Sequence, residues 1–274
     1  MKRLLLPINI LIILLSILVL GASFSWSQAD GTPLVTHARN LVSLFLAGLV
    51  VRTLIQKFID PVVSFRLEHR IITALILFLL FDPLLPWWIF PLLGIITEAG
   101  QYFFRVLSGP IFNPAAFGAI VLSLFGYLPA WWGVNFSPKF PLLGVDVSIA
   151  ALFTLLLAGY VAHRYRKLPI AVSALLMFSL SYFLLLEQSP LYIVLEGTLL
   201  FFLLVMATEP KTSPIPPREQ YLYGALIGLF VSVGIYFHFI EAYVIALLLG
   251  NLYTKQQQLP HLFRTMLYSE HNKS

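Results

Sequence analysis

The stretch that decides the fold of this chain is residues 71–86, IITALILFLLFDPLLP. Its first eleven residues carry no charge, and the run then meets an acidic residue followed by proline. The whole chain has this character, because 59% of its 274 residues are hydrophobic, 11% are charged and the mean hydropathy is +0.89. Soluble domains carry roughly 25% charged residues. The sequence therefore predicts an integral membrane protein whose main partner is the lipid bilayer.

Apolar runs between polar or proline-rich junctions predict an all-α polytopic protein with about ten transmembrane helices. The predicted spans are Leu4 to Leu20, Leu34 to Ile55, Ile71 to Leu85, Trp87 to Phe104, Pro114 to Leu128, Val147 to Ala162, Pro169 to Leu186, Leu191 to Met206, Tyr221 to Phe239 and Ile240 to Tyr253. One span needs about 20 residues, so only short loops remain. We expect a single transmembrane domain over residues 1–254 and a polar cytoplasmic tail over residues 255–274.

The basic residues predict the orientation of these spans. With the N-terminus in the cytoplasm, 15 of the 17 Lys and Arg residues fall on the cytoplasmic side, and only Arg39 and Lys139 fall outside. This asymmetry agrees with the positive-inside rule and places both termini in the cytoplasm. Lys2 and Arg3 before an apolar run are also typical of a signal peptide. We favour a retained first helix, because its removal would disturb the charge distribution.

An acid followed by proline occurs twice, and this repetition predicts an internal repeat. Glu209-Pro210 stands 127 positions after Asp82-Pro83. Five predicted helices separate the two elements, so the second copy points the opposite way across the membrane, as in inverted repeats. We expect two inverted five-helix repeats, over about residues 4–128 and 147–254. Such folds form polar sites where broken helices meet within protein.

The junction before the fifth predicted span is the first candidate site. Asn113 is followed by Pro114 and Ala115, which suits an N-cap with proline at the first helical position. One interpretation is an ordinary helix start. The other is a binding site, since a helix N-terminus offers free N–H groups and a positive dipole end to an anion or to the carbonyl edge of a flavin ring.

Three acidic residues are candidates for an ion pathway. Glu98 and Glu196 lie inside predicted spans, and Asp82 ends another. An ionisable group within a membrane is costly unless it is paired, hydrated or protonated, so such residues are often functional. The alternative is a neutral carboxylic acid that hydrogen-bonds a neighbouring helix.

Composition also argues against several classes of site and partner. The chain has no cysteine, which excludes thiolate metal sites and Cys-ligated iron–sulfur clusters within it. None of the six histidines is central in a confident span, so a haem held by two histidines is not expected. The net charge of +5 comes from loop residues that determine topology, so we expect no metal site and no nucleic acid partner.

Several motifs, in order and spacing, resemble a known family. They are Pro86-Trp87-Trp88, Phe112-Asn113-Pro114-Ala115, Met206-Ala207-Thr208-Glu209-Pro210 with Thr212-Ser213-Pro214, Tyr223 to Leu229, Glu241, and Ala246 to Asn251. This set resembles the NqrB/RnfD family, which are membrane components of the sodium-pumping NADH:quinone oxidoreductase and of the Rnf electron-transport complex. The resemblance covers most of the chain from about Leu84 onward.

This resemblance implies a fold, a cofactor and partners. The fold would be ten helices in two inverted five-helix repeats, in the cytoplasmic membrane of a prokaryote. The cofactor would be a flavin, riboflavin or FMN, and the partners would be other membrane and flavoprotein subunits of a redox complex. The chain would then be a redox subunit that does not act alone. The residues implied to hold the flavin are Asn113, Pro114, Ala115, Thr208, Glu209, Thr212, Ser213 and Asn251.

The chain departs from the family pattern at the flavin attachment site. The family esterifies FMN to the last threonine of a Ser/Thr-Gly-Ala-Thr motif, whereas this chain has no Gly-Ala-Thr and its outer loop at residues 134–141 reads VNFSPKFP. Glu209 also stands where the family tends to have Asp. We therefore expect a noncovalent flavin. The alternatives are a transporter or channel for a small polar solute or ion, lined by Glu98 and Glu196, and a structural scaffold within a complex.

Overall fold

The computed structural model describes residues 6–61, 66–106, 109–135, 139–142 and 145–256, and these residues are mostly helical. Lys2, Arg3 and all but the first two residues of the expected tail lie outside the described residues. Residues 136–138 of the loop in which the flavin attachment motif was sought also lie outside them.

The described residues before position 124 form five helices, of which α5 is the shortest. The helices are α1 (Pro7–Asp30), α2 (Leu34–Leu54), α3 (Leu67–Leu80), α4 (Ile89–Phe103) and α5 (Pro114–Ser123), with a π-helical turn, Ile55–Ile59, that extends α2. Between α4 and α5 the two-residue strands β1 (Arg105–Val106) and β2 (Gly109–Pro110) pair antiparallel.

The second half contains interrupted helices as well as long ones. Its elements are α6 (Trp132–Asn135), the antiparallel hairpin β3 (Lys139–Leu142) and β4 (Val145–Ser148), α7 (Ile149–Phe153), α8 (Gly159–Arg164), α9 (Leu168–Leu186), α10 (Leu191–Glu196), α11 (Thr198–Phe201), α12 (Pro217–Tyr236) and α13 (Ala242–Lys255). A π-helical turn, Thr154–Ala158, joins α7 to α8, and another, Phe202–Ala207, continues α11.

Three helical segments in the described part of the chain are long and apolar enough to cross a membrane by length and composition. They are Pro7–Asp30, Leu34–Ile59 and Leu168–Leu186. Shorter apolar helices cover Pro114–Ser123, Ile149–Arg164 and Thr198–Ala207. Each predicted span overlaps a helical segment, but the number of membrane crossings and the division into repeats 4–128 and 147–254 stay predictions.

Several predicted helix bounds are wrong, for local reasons. The eighth span is not continuous, because Gly197 has φ +108° and separates α10 from α11. The sixth helical segment begins at Ile149 and not at the predicted Val147. Residues 145–148 pair with β3 instead, because β-branched valines favour strands. The fifth ends at Ser123, where the chain turns toward Gly126 at φ +85°.

Glycines bring the long helices of each half into contact. A Cβ on Gly228 of α12 would lie 2.2 Å from the carbonyl oxygen of Ala174 in α9, and a Cβ on Gly94 of α4 would lie 2.3 Å from that of Leu44 in α2. Small residues at such crossings let helix backbones approach closely, as is common in membranes. The two halves therefore share a packing pattern: α2 packs on α4 in the first half, and α9 packs on α12 in the second.

Two buried segments end in the acid-proline motifs. Residues 74–81, which lead to Asp82, and residues 199–207 are almost wholly buried in the protein core. In the first half, Asn40 of α2 donates from Nδ2 to the carbonyl oxygen of Pro83 at 2.9 Å. In the second half, Lys167 before α9 donates from Nζ to the carbonyl oxygen of Pro214 at 2.5 Å. A polar side chain near the start of a long helix thus hydrogen-bonds a backbone carbonyl within the first motif and one four residues after the second.

Candidate functional site

Asn113 begins α5 and has two roles at once. Its Oδ1 accepts a hydrogen bond from the backbone N–H of Ala116 at 3.0 Å, and Pro114 occupies the first helical position. The predicted N-cap is therefore confirmed. The amide nitrogen of the same side chain donates to Glu209 Oε2 at 2.7 Å and to the carbonyl oxygen of Met206 at 3.3 Å. The start of α5 is thus tied to the end of the buried helix of the second half.

The backbone of Asn113 reaches the last described helix. Its N–H donates to Asn251 Oδ1 of α13 at 2.7 Å. Asn251 Nδ2 in turn donates to the hydroxyl oxygen of Tyr223 at 2.9 Å and to the carbonyl oxygen of Thr212 at 3.4 Å. Thr212 Oγ1 donates to Glu209 Oε2 at 3.3 Å. Four of the residues expected at a flavin site therefore form one hydrogen-bonded network, and Tyr223 is a member that sequence reasoning missed.

Thr208 and Ser213 use their hydroxyl groups locally. Thr208 Oγ1 donates to the carbonyl oxygen of Leu204 at 2.8 Å, and Ser213 Oγ donates to that of Glu209 at 2.7 Å. These bonds fold the loop between the π-helical turn and α12. The hydroxyl protons of both residues are thus engaged with backbone, although Thr208 still lines the cavity described below.

Lys167 was assigned to a cytoplasmic loop by its charge, yet it is buried against this loop. Its ammonium donates to the carbonyl oxygens of Ser213 and Pro214, at 3.4 and 2.5 Å. Burial, with a smaller contribution from the charge of Lys255, lowers the pKa of Lys167 to about 8. The sequence signal that could have found it is its position directly before Leu168-Pro169, a helix start.

A cavity of about 60 Å³ opens where α5 meets the end of the second buried helix. We call it the junction cavity. It is lined by Asn113, Pro114 and Ala115 on one side and by Thr208 and Glu209 on the other. Five of the eight residues expected to hold a flavin thus share one space; Thr212, Ser213 and Asn251 do not line it. The lining also contains polar side chains that sequence reasoning missed: His69, Thr73, Tyr165 and Lys211.

A wider hollow adjoins the junction cavity. It has a volume of about 490 Å³ and is lined by Ile8, Arg66, Leu67 and Glu68. Ile8 lines both spaces, and Glu68 directly precedes the cavity residue His69. The two spaces therefore border one another at the start of α3.

Glu209 is the acid of the junction cavity. Burial raises the pKa of its carboxyl group to about 7, against smaller opposing effects of the Lys211 charge and the hydrogen bond from Thr212. A carboxylic acid with a pKa near neutral pH can both hold and release a proton under physiological conditions. The site therefore combines a helix N-terminus, an exchangeable proton and a cation.

The three candidate acids for an ion pathway have separate surroundings. Glu98 of α4 forms a buried ion pair with Arg70 of α3. This pair lines a cavity of about 20 Å³ that neither Asp82 nor Glu196 lines. Asp82 accepts a hydrogen bond from the backbone N–H of Leu84 at 2.8 Å, and Glu196 ends α10. Arg70, which its charge assigned to a cytoplasmic loop, is buried in this pair.

Comparison with known proteins confirms the predicted resemblance. Residues 142–256, from the β3–β4 hairpin through α13, match the model of the NQR2, RnfD, RnfE family. The chain is also 25% identical over 233 residues to an ion-translocating oxidoreductase complex subunit, RnfD, of Methanosarcina acetivorans, and this match covers 77% of each protein. The NQR2, RnfD, RnfE match includes the loop with Glu209 and the helix with Asn251. Together with the apolar helices, it indicates a multi-pass membrane protein.

Proposed function

We propose that the chain is a membrane subunit of an ion-translocating electron-transport complex in a prokaryotic cytoplasmic membrane. It would hold a noncovalent flavin at the junction cavity and pass electrons between other subunits. The family match and the name of the relative support membership of such a complex. The observation that carries the flavin assignment is the junction cavity, because it gathers residues that stand about 95 positions apart in the sequence, Asn113 and Thr208–Glu209.

The proposed architecture is a pair of inverted five-helix repeats with both termini in the cytoplasm. Matched packing supports it, since α2 with α4 corresponds to α9 with α12, and α4 with α5 corresponds to α12 with α13. The hydrogen bonds from Asn40 to the carbonyl oxygen of Pro83 and from Lys167 to that of Pro214, four residues after Pro210, support it as well. In inverted-repeat folds the binding site lies between the repeats. The junction cavity has this position in the chain, between α5 and the loop after α11.

The residues of the cavity suit a flavin in their chemistry. A flavin ring has apolar faces and an edge of carbonyl and nitrogen acceptors. Ile72, Ile76 and Leu204 supply an apolar wall, and His69 and Lys211 supply hydrogen-bond donors. The junction cavity alone is smaller than ligand pockets of roughly 300–1,000 Å³. The bordering hollow of about 490 Å³ lies within that range, and a flavin held at the junction cavity would extend into it.

In this proposal the chain supplies orientation and electrostatics, and a bound flavin supplies the electron transfer. Asn113 holds the Glu209 carboxyl group in place, and the Lys211 ammonium adds positive potential to the cavity. Glu209 can hold a proton beside the ligand, because the pKa of its carboxyl group is about 7. Tyr223 and Asn251 keep the Thr208–Pro216 loop against α13.

The test is the flavin content of the detergent-purified protein. We expect visible flavin absorbance that moves to the supernatant after acid precipitation, as for a noncovalent cofactor. Asn113→Ala should reduce the flavin content several-fold. The matched control is Asn135→Ala, which removes hydrogen bonds to Thr198 and Ala130 away from the cavity and should retain flavin.

Two outcomes would contradict the proposal. Protein that contains no flavin, and binds neither added riboflavin nor added FMN, would refute flavin binding. Flavin that stays with the acid precipitate would refute a noncovalent cofactor and would reveal an attachment residue elsewhere.

A further inference from the structure

The starts of α9 and α12 lie side by side at one end of a parallel helix pair. A Cβ on Gly224 would lie 2.3 Å from the carbonyl oxygen of Ile170, close to both starts. Further along the pair, Ser181 Oγ donates to Ser232 Oγ at 2.7 Å. Lys167, directly before α9, also hydrogen-bonds the loop before α12. Residues before α9 and those at the start of α12 therefore share one end of the pair.

Three exposed arginines belong to this end. Arg164 is the last residue of α8, Arg166 lies in the turn before α9, and Arg218 lies in the first turn of α12. None of them forms an ion pair within the described part of the chain. Glu219, next to Arg218, is an exposed acid of the same end, and it leaves the positive charges in excess. We call the three residues the arginine patch.

The backbone of Arg166 has a conformation that favours glycine. Its φ is +56°, and the turn is closed by hydrogen bonds from its N–H to the carbonyl oxygen of His163 at 2.9 Å and from Lys167 to Ala162 at 2.7 Å. Residues with a side chain seldom adopt such angles, and where they do the position is often functional. The turn therefore indicates a role for the arginine side chain itself.

The surfaces next to the arginine patch suit a phospholipid. Tyr165 of the turn and Tyr221 of α12 are exposed, and tyrosine favours the boundary between headgroups and acyl chains. Further along the two helices the exposed side chains are apolar: Val172, Leu176, Leu180, Leu222 and Leu229. A headgroup at the patch would thus have its acyl chains beside the same helix pair.

We propose that the arginine patch binds the headgroup of an anionic phospholipid such as phosphatidylglycerol. The inference goes beyond the proposed function, because it needs no bound flavin. A phosphodiester carries a negative charge, and an arginine can donate two hydrogen bonds to its oxygens. The patch is predicted on the cytoplasmic side, where anionic leaflets attract basic residues beside membrane-spanning helices. Topology alone requires no particular grouping, whereas here Arg166 and Arg218, 52 positions apart, share one end of a helix pair.

The experiment measures the lipids bound to the full chain, purified in a neutral detergent, by native mass spectrometry. The protein is mixed with equal amounts of phosphatidylglycerol and phosphatidylcholine that have identical acyl chains. We expect phosphatidylglycerol to be bound in at least about tenfold excess, since one basic residue near an anionic headgroup accounts for about fivefold. Excess inorganic phosphate should leave this lipid bound, because it lacks acyl chains.

Two variants and one control assign the preference to the arginine patch. Arg218→Gln should lower phosphatidylglycerol binding about fivefold. Arg166→Gly should do the same and keep or raise the unfolding temperature, because glycine suits φ +56°. Lys57→Gln is the control, since Lys57 is an exposed basic residue of the turn that extends α2 and its ammonium lies over the Phe58 ring. It should keep the preference.

Three results would overturn the inference. Equal binding of the two lipids to the wild type would show that the patch does not select anionic headgroups. An unchanged preference in Arg218→Gln and Arg166→Gly would place the lipid elsewhere on the protein. Displacement of phosphatidylglycerol by inorganic phosphate would show a site for soluble anions.

Discussion

A single asparagine joins three distant parts of the chain. The side chain of Asn113 caps α5 and donates to Glu209, and its backbone N–H donates to Asn251. Each bond is made in a buried setting, where an unpaired polar group costs about 1–3 kcal/mol. Loss of this side chain would therefore remove both the N-cap of α5 and the hydrogen bond to the carboxyl group of Glu209. A site built this way keeps the carboxyl group of Glu209 fixed at the edge of the junction cavity.

At the residue scale, the acid of the cavity predicts a pH dependence of stability. The pKa of Glu209 is raised in the folded state to about 7 from its ordinary value of 4.5, so the folded protein binds this proton more tightly than the unfolded chain. The resulting stability is present at low pH and is lost as pH rises toward 7. We expect the unfolding temperature of Glu209→Gln, measured in detergent, to lack this decrease.

The comparison of the wild type with Glu209→Gln isolates the contribution of the Glu209 carboxyl group. Other residues that titrate between pH 4.5 and 7 contribute equally to the wild type and to the variant, so the difference in unfolding temperature is what counts. Gln keeps an oxygen that can accept from Asn113 Nδ2. A difference between the two proteins that is constant from pH 5 to pH 8 would show that Glu209 does not titrate in this range.

The sequence predicted much of this site, because short-range signals mark it. Asn before Pro identifies an N-cap, and an acid before Pro identifies a helix end, so Asn113 and Glu209 could both be found. The buried roles of Lys167 and Arg70 could not, because a basic residue near a helix end is assigned to the cytoplasmic side by its charge alone. Their partners are supplied by the tertiary fold: backbone carbonyls for Lys167 and Glu98 for Arg70.

At the scale of elements, the break between α10 and α11 is the main departure from the predicted helices. Residues 191–206 are apolar enough to suggest a continuous span, apart from Glu196 and Gly197. Gly197 has φ +108°, a conformation that side chains disfavour. Periodicity cannot reveal such a break, because a glycine inside an apolar run is compatible with either a helix or a kink. The break leaves the buried helix only ten residues long, Thr198–Ala207.

This break predicts that a methyl group at position 197 is harmful. Gly197→Ala should lower stability by about 1 kcal/mol or more, since the added Cβ would also lie 3.1 Å from the Cβ of Ala151. Gly159→Ala is the matched control, because Gly159 starts α8 with helical backbone angles and no atom within 4 Å of the added Cβ. It should be neutral or stabilising by roughly 0.5–1 kcal/mol. Thermal unfolding in detergent measures both, and equal unfolding temperatures for the two variants would contradict the strain at Gly197.

At the scale of the whole molecule, charge and packing bear on the proposed topology in different ways. The charge distribution predicts which side each loop faces, and the packing shows which helices are neighbours. In an inverted pair of repeats, corresponding elements face opposite sides. The loop after the first acid-proline motif should then face outward, and the loop after the second, which contains Lys211, should face the cytoplasm.

The absence of cysteine allows a direct test of this topology. Single cysteines can be placed without background at Lys139 of β3, which is predicted outside, and at Arg166 before α9, which is predicted inside; both side chains are exposed. A membrane-impermeant maleimide added to intact cells should label Lys139→Cys at once and Arg166→Cys only after the membrane is opened. The reverse pattern would invert the orientation. Labelling of both in intact cells would mean that the chain does not cross the membrane once between residues 139 and 166, as predicted. The matched halves would then not be inverted.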